Sequence, residues 1–320
     1  MPLETRHDVL LHVALRAEEL GYDAFIMPET WAYDMSVLLT EIAVRTERIK
    51  IGTGIMGMWG RSAGQIAMAA ASLNIVSKGR FILGLGASSP PLTEGFHDQL
   101  FKKPLTKLRR TLTQVRAILD GKRIPLANTE ARPLKLNLPP QPDIPIIVGA
   151  SSPKSIRLAG EIGNGWYPFL TPKDHLSELA QAMEEGAQAS DKPNKLLDIY
   201  PILGVMVDDD KATARPAMEW FVSFYMVLMG PLYRNALTRM GYGAAVDSVV
   251  QANEGKRPSV VPEDAEILLE QLVVYGSAEN ARAQLDEWYD AGATMPVLIM
   301  NPGLEIAQYD RILEAFAKQA

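Results

Sequence analysis

The chain has 320 residues, of which 47% are hydrophobic and 22% charged, with a formal net charge of −6. That composition suits a globular protein with a sizeable core; it excludes disorder and low complexity and leaves no basic footprint for nucleic acid. With no cysteine and only four histidines (His7, His12, His97 and His175), it also excludes a disulfide scaffold, a thiolate zinc site and a cysteine nucleophile, and no HxH or HExxH pair offers a metal site.

In chain order, the first helix spans Thr5 to Leu20, with Val9, Val13, Ala17 and Leu20 on one face and Gly21 as its stop. A short apolar run, Ala24 to Met27, ends at Pro28 and reads as a strand. A helix (Met35 to Arg45) and a strand (Ile49 to Ile51) follow, then a helix (Ala63 to Val76) and a strand running from Arg80 to Gly86. Pro104 to Leu119 is helical. Ile124 to Pro145 holds six prolines and reads as a loop, with one short strand near Leu134 to Leu138. The alternation resumes with a strand (Ile146 to Val148), a helix (Pro153 to Ile162), a strand (Gly165 to Pro168), a helix (Pro172 to Ala189) and a strand (Leu197 to Val207). A long helical region covers about 209–272. Its run from Trp220 to Tyr233 is too short for a bilayer, which takes about 20 apolar residues. Ala278 to Ala291 is a helix, Val297 to Met300 a strand and Glu305 to Lys318 the last helix.

Short, continuously apolar strands alternating with helices predict parallel βαβ units with the sheet covered on both faces. Seven strands can be counted, apart from the short candidate in the proline-rich loop. No GxGxxG follows a strand, which disfavours a doubly wound dinucleotide fold, and length and strand number favour an α/β barrel. The N-terminus carries Arg6, His7 and Asp8 with no apolar stretch behind them, so no signal peptide, no membrane span and a cytoplasmic protein are expected.

One pentapeptide occurs twice. Gly86-Ala-Ser-Ser-Pro90 and Gly149-Ala-Ser-Ser-Pro153 each follow a strand directly. Either copy can be a plain βα turn, with Ser as N-cap and Pro in the first helical turn, or a ligand loop at the end of a barrel where ligands bind. The second copy adds Lys154 in the first turn of its helix, a combination that suits a phosphate. Glu29, after the strand Ala24 to Met27, is either a solvated loop acid or a group for binding or proton transfer. His97 is either a structural histidine or a proton shuttle near neutral pH. No GxSxG elbow or Ser-His-Asp order is present, which weakens a hydrolase.

Several segments, in order and spacing, resemble the luciferase-like family of flavin and deazaflavin oxidoreductases. They are Ala17-Glu-Glu-Leu-Gly-Tyr-Asp23 with Phe25 to Glu29, Thr46-Glu-Arg-Ile-Lys-Ile-Gly-Thr-Gly54, Gly79-Arg-Phe-Ile-Leu-Gly-Leu-Gly86, Pro145-Ile-Ile-Val-Gly-Ala-Ser-Ser-Pro-Lys154 and Gly163-Asn-Gly-Trp166. The resemblance implies one TIM-type (β/α)8 barrel domain over 1–320 with a helical insertion before the last strand, and a homodimer. It implies an oxidoreductase that moves a hydride to or from a small organic substrate with coenzyme F420, or an FMN-dependent monooxygenase. Gly84 to His97 looks most like the methylene-tetrahydromethanopterin reductase branch, which points to F420.

By position, Gly54-Ile55 matches the family's bulge, often a non-prolyl cis peptide, behind the cofactor ring. Glu29 matches an acid at the pyrimidine side. Gly86, Ala87, Ser88 and Ser89 match the loop facing ring and substrate, and Gly149, Ala150, Ser151, Ser152 and Lys154 the phosphate-side loop. Glu29 and His97 are the candidate catalytic residues.

There are departures. Thr30 stands where alcohol- and sugar-phosphate-active members carry a histidine, and Ser89 where a glutamate is expected. These, with a start that leads from Met1 almost directly into the first helix, keep a non-catalytic cofactor-binding barrel open. The family begins with a strand, so the resemblance also implies a further strand ahead of Met1 in the natural protein. The aromatic residues of the insertion (Trp220, Phe221, Phe224, Tyr225, Tyr233 and Tyr242) are expected either to cap the pocket or to fill core.

Overall fold

The computed structural model describes residues 3–127, 130–190 and 197–317. Its first half alternates α1 (His7–Glu19), β1 (Ala24–Met27), α2 (Met35–Arg45), β2 (Lys50–Thr53), β3 (Met56–Gly57), α3 (Ala63–Val76), β4 (Phe81–Gly86), α4 (Pro90–Gly95) and α5 (Pro104–Leu119). The second half continues with β5 (Ile146–Gly149), α6 (Pro153–Ile162), β6 (Gly165–Tyr167), α7 (Leu176–Gln188), β7 (Asp198–Ile199) and β8 (Ile202–Val207). Four helices then form the insertion: α8 (Lys211–Leu228), α9 (Pro231–Leu237), α10 (Gly243–Ala252) and α11 (Glu266–Leu272). The chain closes with β9 (Val273–Gly276), α12 (Ala278–Asp290), β10 (Val297–Met300) and α13 (Ile306–Phe316).

The helices form for local reasons and bury one face each. α1 turns Val9, Leu10, Val13, Ala14 and Ala17 inward. Asp34 caps α2 by accepting from the Ser36 N–H, and Ser62 with Gln65 closes a capping box at α3. β4, β8 and β9 are buried along their whole length, on both faces, so they read as unbroken apolar runs.

Every ladder is parallel. One sheet runs β1-β2-β4-β5-β6-β7 with β3 on β4, and a second runs β10-β8-β9. A bridge between Phe169 and Ile202 joins the two into one curved wall. Thr53 reinforces it: its hydroxyl donates to the Gly84 carbonyl and accepts from the Gly84 N–H, at 2.8 and 2.9 Å. The expected barrel architecture with its first strand absent is what is seen. β1 and β10 each pair on one side only, and an apolar slot of about 170 Å³ separates them, with Phe25, Val297, Leu298 and Phe316 in its walls. α1 and α13 cover this seam from outside, laced by Arg16 to Glu314 and by the Tyr22 hydroxyl on the Leu313 carbonyl. Glu4 ties the start of the chain to the loop after β10, its buried carboxylate accepting from Arg6, the Gly303 N–H and the Tyr309 hydroxyl.

Four expectations are corrected. The strand read over Leu197 to Val207 is two, because Pro201 has no N–H for the ladder. β9 lies directly behind the insertion, where a helix was followed to Leu272; strand and helix are both apolar there, so periodicity does not separate them. The insertion therefore precedes β9, and β9 and α12 stand between it and the last strand. Leu134 to Leu138 is no strand: prolines flank it, and it meets no sheet edge. Lys318, the expected end of the last helix, lies outside the described residues, and α13 stops at Phe316. Among the described residues no helix is long and apolar enough to cross a membrane, and no cluster of His, Asp and Glu suits a metal ion.

Candidate active site

A cavity of about 440 Å³ opens at the C-terminal ends of the strands. Its floor is built on glycine. The peptide between Gly54 and Ile55 is cis, where the resemblance places one. Gly86 and Gly149 end adjacent strands and stand opposite each other in register. The Ile55 side chain lies across both: a Cβ on Gly86 would come within 3.0 Å of Ile55 Cδ1, and one on Gly149 within 3.1 Å of Ile55 Cγ2. Tyr167 supports this floor from beneath. Its ring would meet a Cβ on Gly84 at 2.7 Å, and its buried hydroxyl has no partner among the described residues. Burial holds that hydroxyl in its protonated form, well above the ordinary tyrosine range.

Glu29 enters from the loop after β1 with its carboxylate buried. One oxygen accepts from the Gly57 N–H at 2.5 Å and the other pairs with Arg61, which also reaches Asp34. Burial lowers the Arg61 guanidinium's pKa, yet it stays charged at neutral pH. A carboxylate occupied by a backbone N–H and a guanidinium is fixed in orientation, which suits binding a polar ring edge better than shuttling a proton.

The two pentapeptide copies lie side by side in the cavity wall, at the ends of β4 and β5. In each, an indole N–H fixes the alanine carbonyl: Trp59 on Ala87 and Trp166 on Ala150, both at 2.8 Å. The second copy starts α6, where Ser152 and Ser155 close a capping box. The first starts the short α4 without a side-chain cap, and Ser88 has a φ of 58°. The hydroxyls of Ser88, Ser89 and Ser151 make no hydrogen bond with the described residues and line the cavity as available donors.

Thus Glu29, Gly54, Ile55, Gly86 to Ser89 and Gly149 to Ser152 come together in one wall. Two expected residues do not join it. Lys154 is exposed on the first turn of α6. His97 lies beyond α4, edge-on to Phe96, with its imidazole where a Cβ on Gly60 would sit, 2.7 Å from Cε1. Burial and the nearby Arg61 charge lower its pKa. Of the insertion aromatics, Tyr225 and Tyr233 line the cavity, stacked edge-on with Phe169 at 4.7 and 5.4 Å. Phe221 packs beneath, on Gly204, while Tyr242 bonds Asp174 away from the cavity. Phe169, Leu105 and Arg239 were not legible as site residues. Phe169 follows a strand already recognised, which was the one signal available for it.

The family model described as luciferase-like monooxygenase matches residues 4–295. A protein of Mycobacterium tuberculosis named as a coenzyme F420-dependent oxidoreductase is 30% identical over 307 residues, 88% of each chain. The 5,10-methylenetetrahydromethanopterin reductase of Methanolobus tindarius is 26% identical, covering 90% of this chain and 89% of its own. Among solved structures, the F420-dependent tetrahydromethanopterin reductase of Methanopyrus kandleri superposes with a TM-score of 0.78 at 19% identity, covering 99% and 96%. An FMN-bound type II Baeyer–Villiger monooxygenase of Pseudomonas putida reaches 0.72 at 19% identity, covering 98% and 91%. The fold and the site at its C-terminal face define a luciferase-like barrel enzyme, and the chain belongs to the luciferase-like monooxygenase family.

Proposed function

We propose that the protein is a coenzyme F420-dependent oxidoreductase acting on a small organic substrate. The observation that carries this is the continuous wall from the cis Gly54-Ile55 shelf, past the Glu29–Arg61 pair, to the capped start of α6. The residues present fit such a group: glycines at 54, 86 and 149 leave a cradle that a Cβ would fill, and unpartnered serine hydroxyls face it. When bound, coenzyme F420 supplies the hydride chemistry, as organic cofactors do.

The chain's own part is binding and orientation. The shelf at Gly54-Ile55 would back the ring. Gly57 and Arg61 fix Glu29, which would meet the ring's polar edge, while Ser151 and the N-terminus of α6 would take the phosphate. The apolar wall of Tyr225, Tyr233 and Phe169 excludes water from the substrate side. His97, set back behind Gly60, acts in this proposal only through Arg61 and the loop it packs on.

The named relatives support F420, and the FMN-bound neighbour supports the flavin alternative. Titration of the purified protein with F420 and with FMN, followed by ligand fluorescence, tests this. Saturable binding with F420 preferred is expected; FMN preference would favour the monooxygenase, and no saturable binding to either would leave a non-catalytic barrel.

In the same proposal the chain is one barrel domain whose insertion over 209–272 serves as substrate lid. It works in the cytoplasm, which the absence of cysteine fits, with no nucleic acid partner. It acts as a homodimer through an apolar strip of Val37 and Val44 on α2 and Met68 and Ile75 on α3, all exposed. Light scattering of V44E against the unmodified chain checks the dimer: a halved mass is expected.

A further inference from the structure

Two charged side chains stand in the cavity wall. Glu29 is satisfied by Arg61 and Gly57. Arg239, across the cavity in the insertion, has no ion pair or hydrogen bond with the described residues. Its backbone is nonetheless held. Arg239 sits in the single π-helical turn Thr238–Tyr242, which reverses at Gly241 with a φ of 94°. On one side the Met240 carbonyl lies 3.0 Å from His175 Nε2, and on the other the Tyr242 hydroxyl donates to Asp174 at 2.6 Å. Arg239 is exposed to solvent and at the same time lines the cavity, so its unpaired guanidinium on this anchored turn is within reach of a ligand there.

The wall beside it is apolar and aromatic. Phe169, Tyr225 and Tyr233 form a set of mutually edge-on rings, Tyr225 to Tyr233 at 5.7 Å, with Leu232 from the same helix as Tyr233. The hydroxyls of Tyr225 and Tyr233 make no hydrogen bond with the described residues. Burial keeps the Tyr233 hydroxyl a donor, its pKa pushed up to about 12. An unpaired cation beside phenolic donors and apolar walls offers an anion a charged partner and further hydrogen bonds. A guanidinium takes a carboxylate through two parallel hydrogen bonds, and the rings take an apolar body.

We propose that Arg239 selects the substrate by its carboxylate, so that the cavity takes small organic acids with an apolar or aromatic skeleton. This rests on the assignment of the cavity as an oxidoreductase substrate chamber. The anion that meets Arg239 has two possible sources, the substrate and the anionic tail of the cofactor, and the proposal commits to the substrate.

Calorimetric titration with phenylacetate and its neutral counterpart phenylacetamide tests it, on the unmodified chain, R239Q and R239K. Phenylacetate is expected to bind at least about tenfold tighter than phenylacetamide. R239Q should erase that preference, R239K should restore part of it, and both should melt as the unmodified chain does, since Arg239 holds no fold contact. Absence of a preference in the unmodified chain, or a preference that survives R239Q, overturns the proposal. So does a loss of F420 affinity in R239Q with the phenylacetate preference unchanged, which would assign Arg239 to the cofactor. A chain that shows the Arg239-dependent preference but binds no F420 would retain the acid site and lose the redox assignment, so the two failures are distinguishable.

Discussion

The same five residues, Gly-Ala-Ser-Ser-Pro, close two neighbouring strands and do different work. Gly86 and Gly149 face each other in register, and each alanine carbonyl takes a tryptophan N–H at the same 2.8 Å. Beyond the alanine the copies diverge. After β5, Ser152 caps a ten-residue helix and Trp166 is wholly buried behind it. After β4, Ser88 turns into the left-handed region, Ser89 caps nothing, the helix lasts six residues, and the partner Trp59 is only half-buried beneath Lys107. One copy is a capped helix start; the other is a loop whose serine hydroxyls make no hydrogen bond with the described residues. Local sequence sets the shared turn, and the length of helix that the barrel can pack behind it sets the rest.

The comparison can be broken at its anchors first. Trp166→Ala removes a fully buried indole and frees the Ala150 carbonyl, and should cost about 3–5 kcal/mol in urea unfolding. Trp59→Ala should cost about 1 kcal/mol, since its ring keeps solvent on one side. Equal losses would mean that the two walls are equally rigid.

The glycines should behave alike. Gly86→Val and Gly149→Val both drive a branched side chain against Ile55. Each should weaken F420 binding about a hundredfold, near 2.8 kcal/mol, in fluorescence titration.

Smaller effects separate the serines. Ser152→Ala loses a cap and should cost about 1 kcal/mol of stability by thermal melting. Ser89→Ala removes no hydrogen bond in the described residues and should leave the melting temperature in place while weakening ligand binding.

The smallest effect is in pH. Burial and Arg61 lower the pKa of His97, which packs on the first copy's side, so below the ordinary imidazole range the unfolded chain takes up a proton more readily than the folded one. Stability contributed there is complete above pH 6.5 and falls on acidification through that value towards the lowered one. The protection of amides 86–97 against hydrogen exchange, corrected for the intrinsic rate at each pH, should therefore fall from pH 7 to 5 more than that of amides 149–162, and H97N should remove the difference. No change across that range would place His97 in an environment like water.

Much of the fold was legible because its strands are buried on both faces. β4 and β5 stand out as apolar runs closed by glycine, α1 carries the expected apolar stripe, and α2 and α3 span the expected residues. β9 was not, because Val273 to Tyr275 continues the apolar character of Leu268, Leu269 and Leu272, and only pairing with β8 makes it a strand. In the site, Gly54, Gly86 and Gly149 were visible as breaks after strands. Arg239 and Leu105 were not, since helices bring them in from distant stretches of chain and neither carries a local pattern.

By itself the sequence determined the alternation of elements, the glycine-closed strand ends, the doubled pentapeptide and the absence of any thiol or histidine cluster. These follow from side-chain period, backbone freedom and composition, which are local properties. Only the tertiary structure decided the rest. It set Gly86 opposite Gly149 beneath Ile55, turned Glu29 onto Arg61, left Lys154 outside the cavity and brought Arg239 to its wall. It also left β1 and β10 with one unpaired edge each, a seam no single segment announces. Each depends on which elements the curved sheet makes neighbours, and long-range packing fixes that choice.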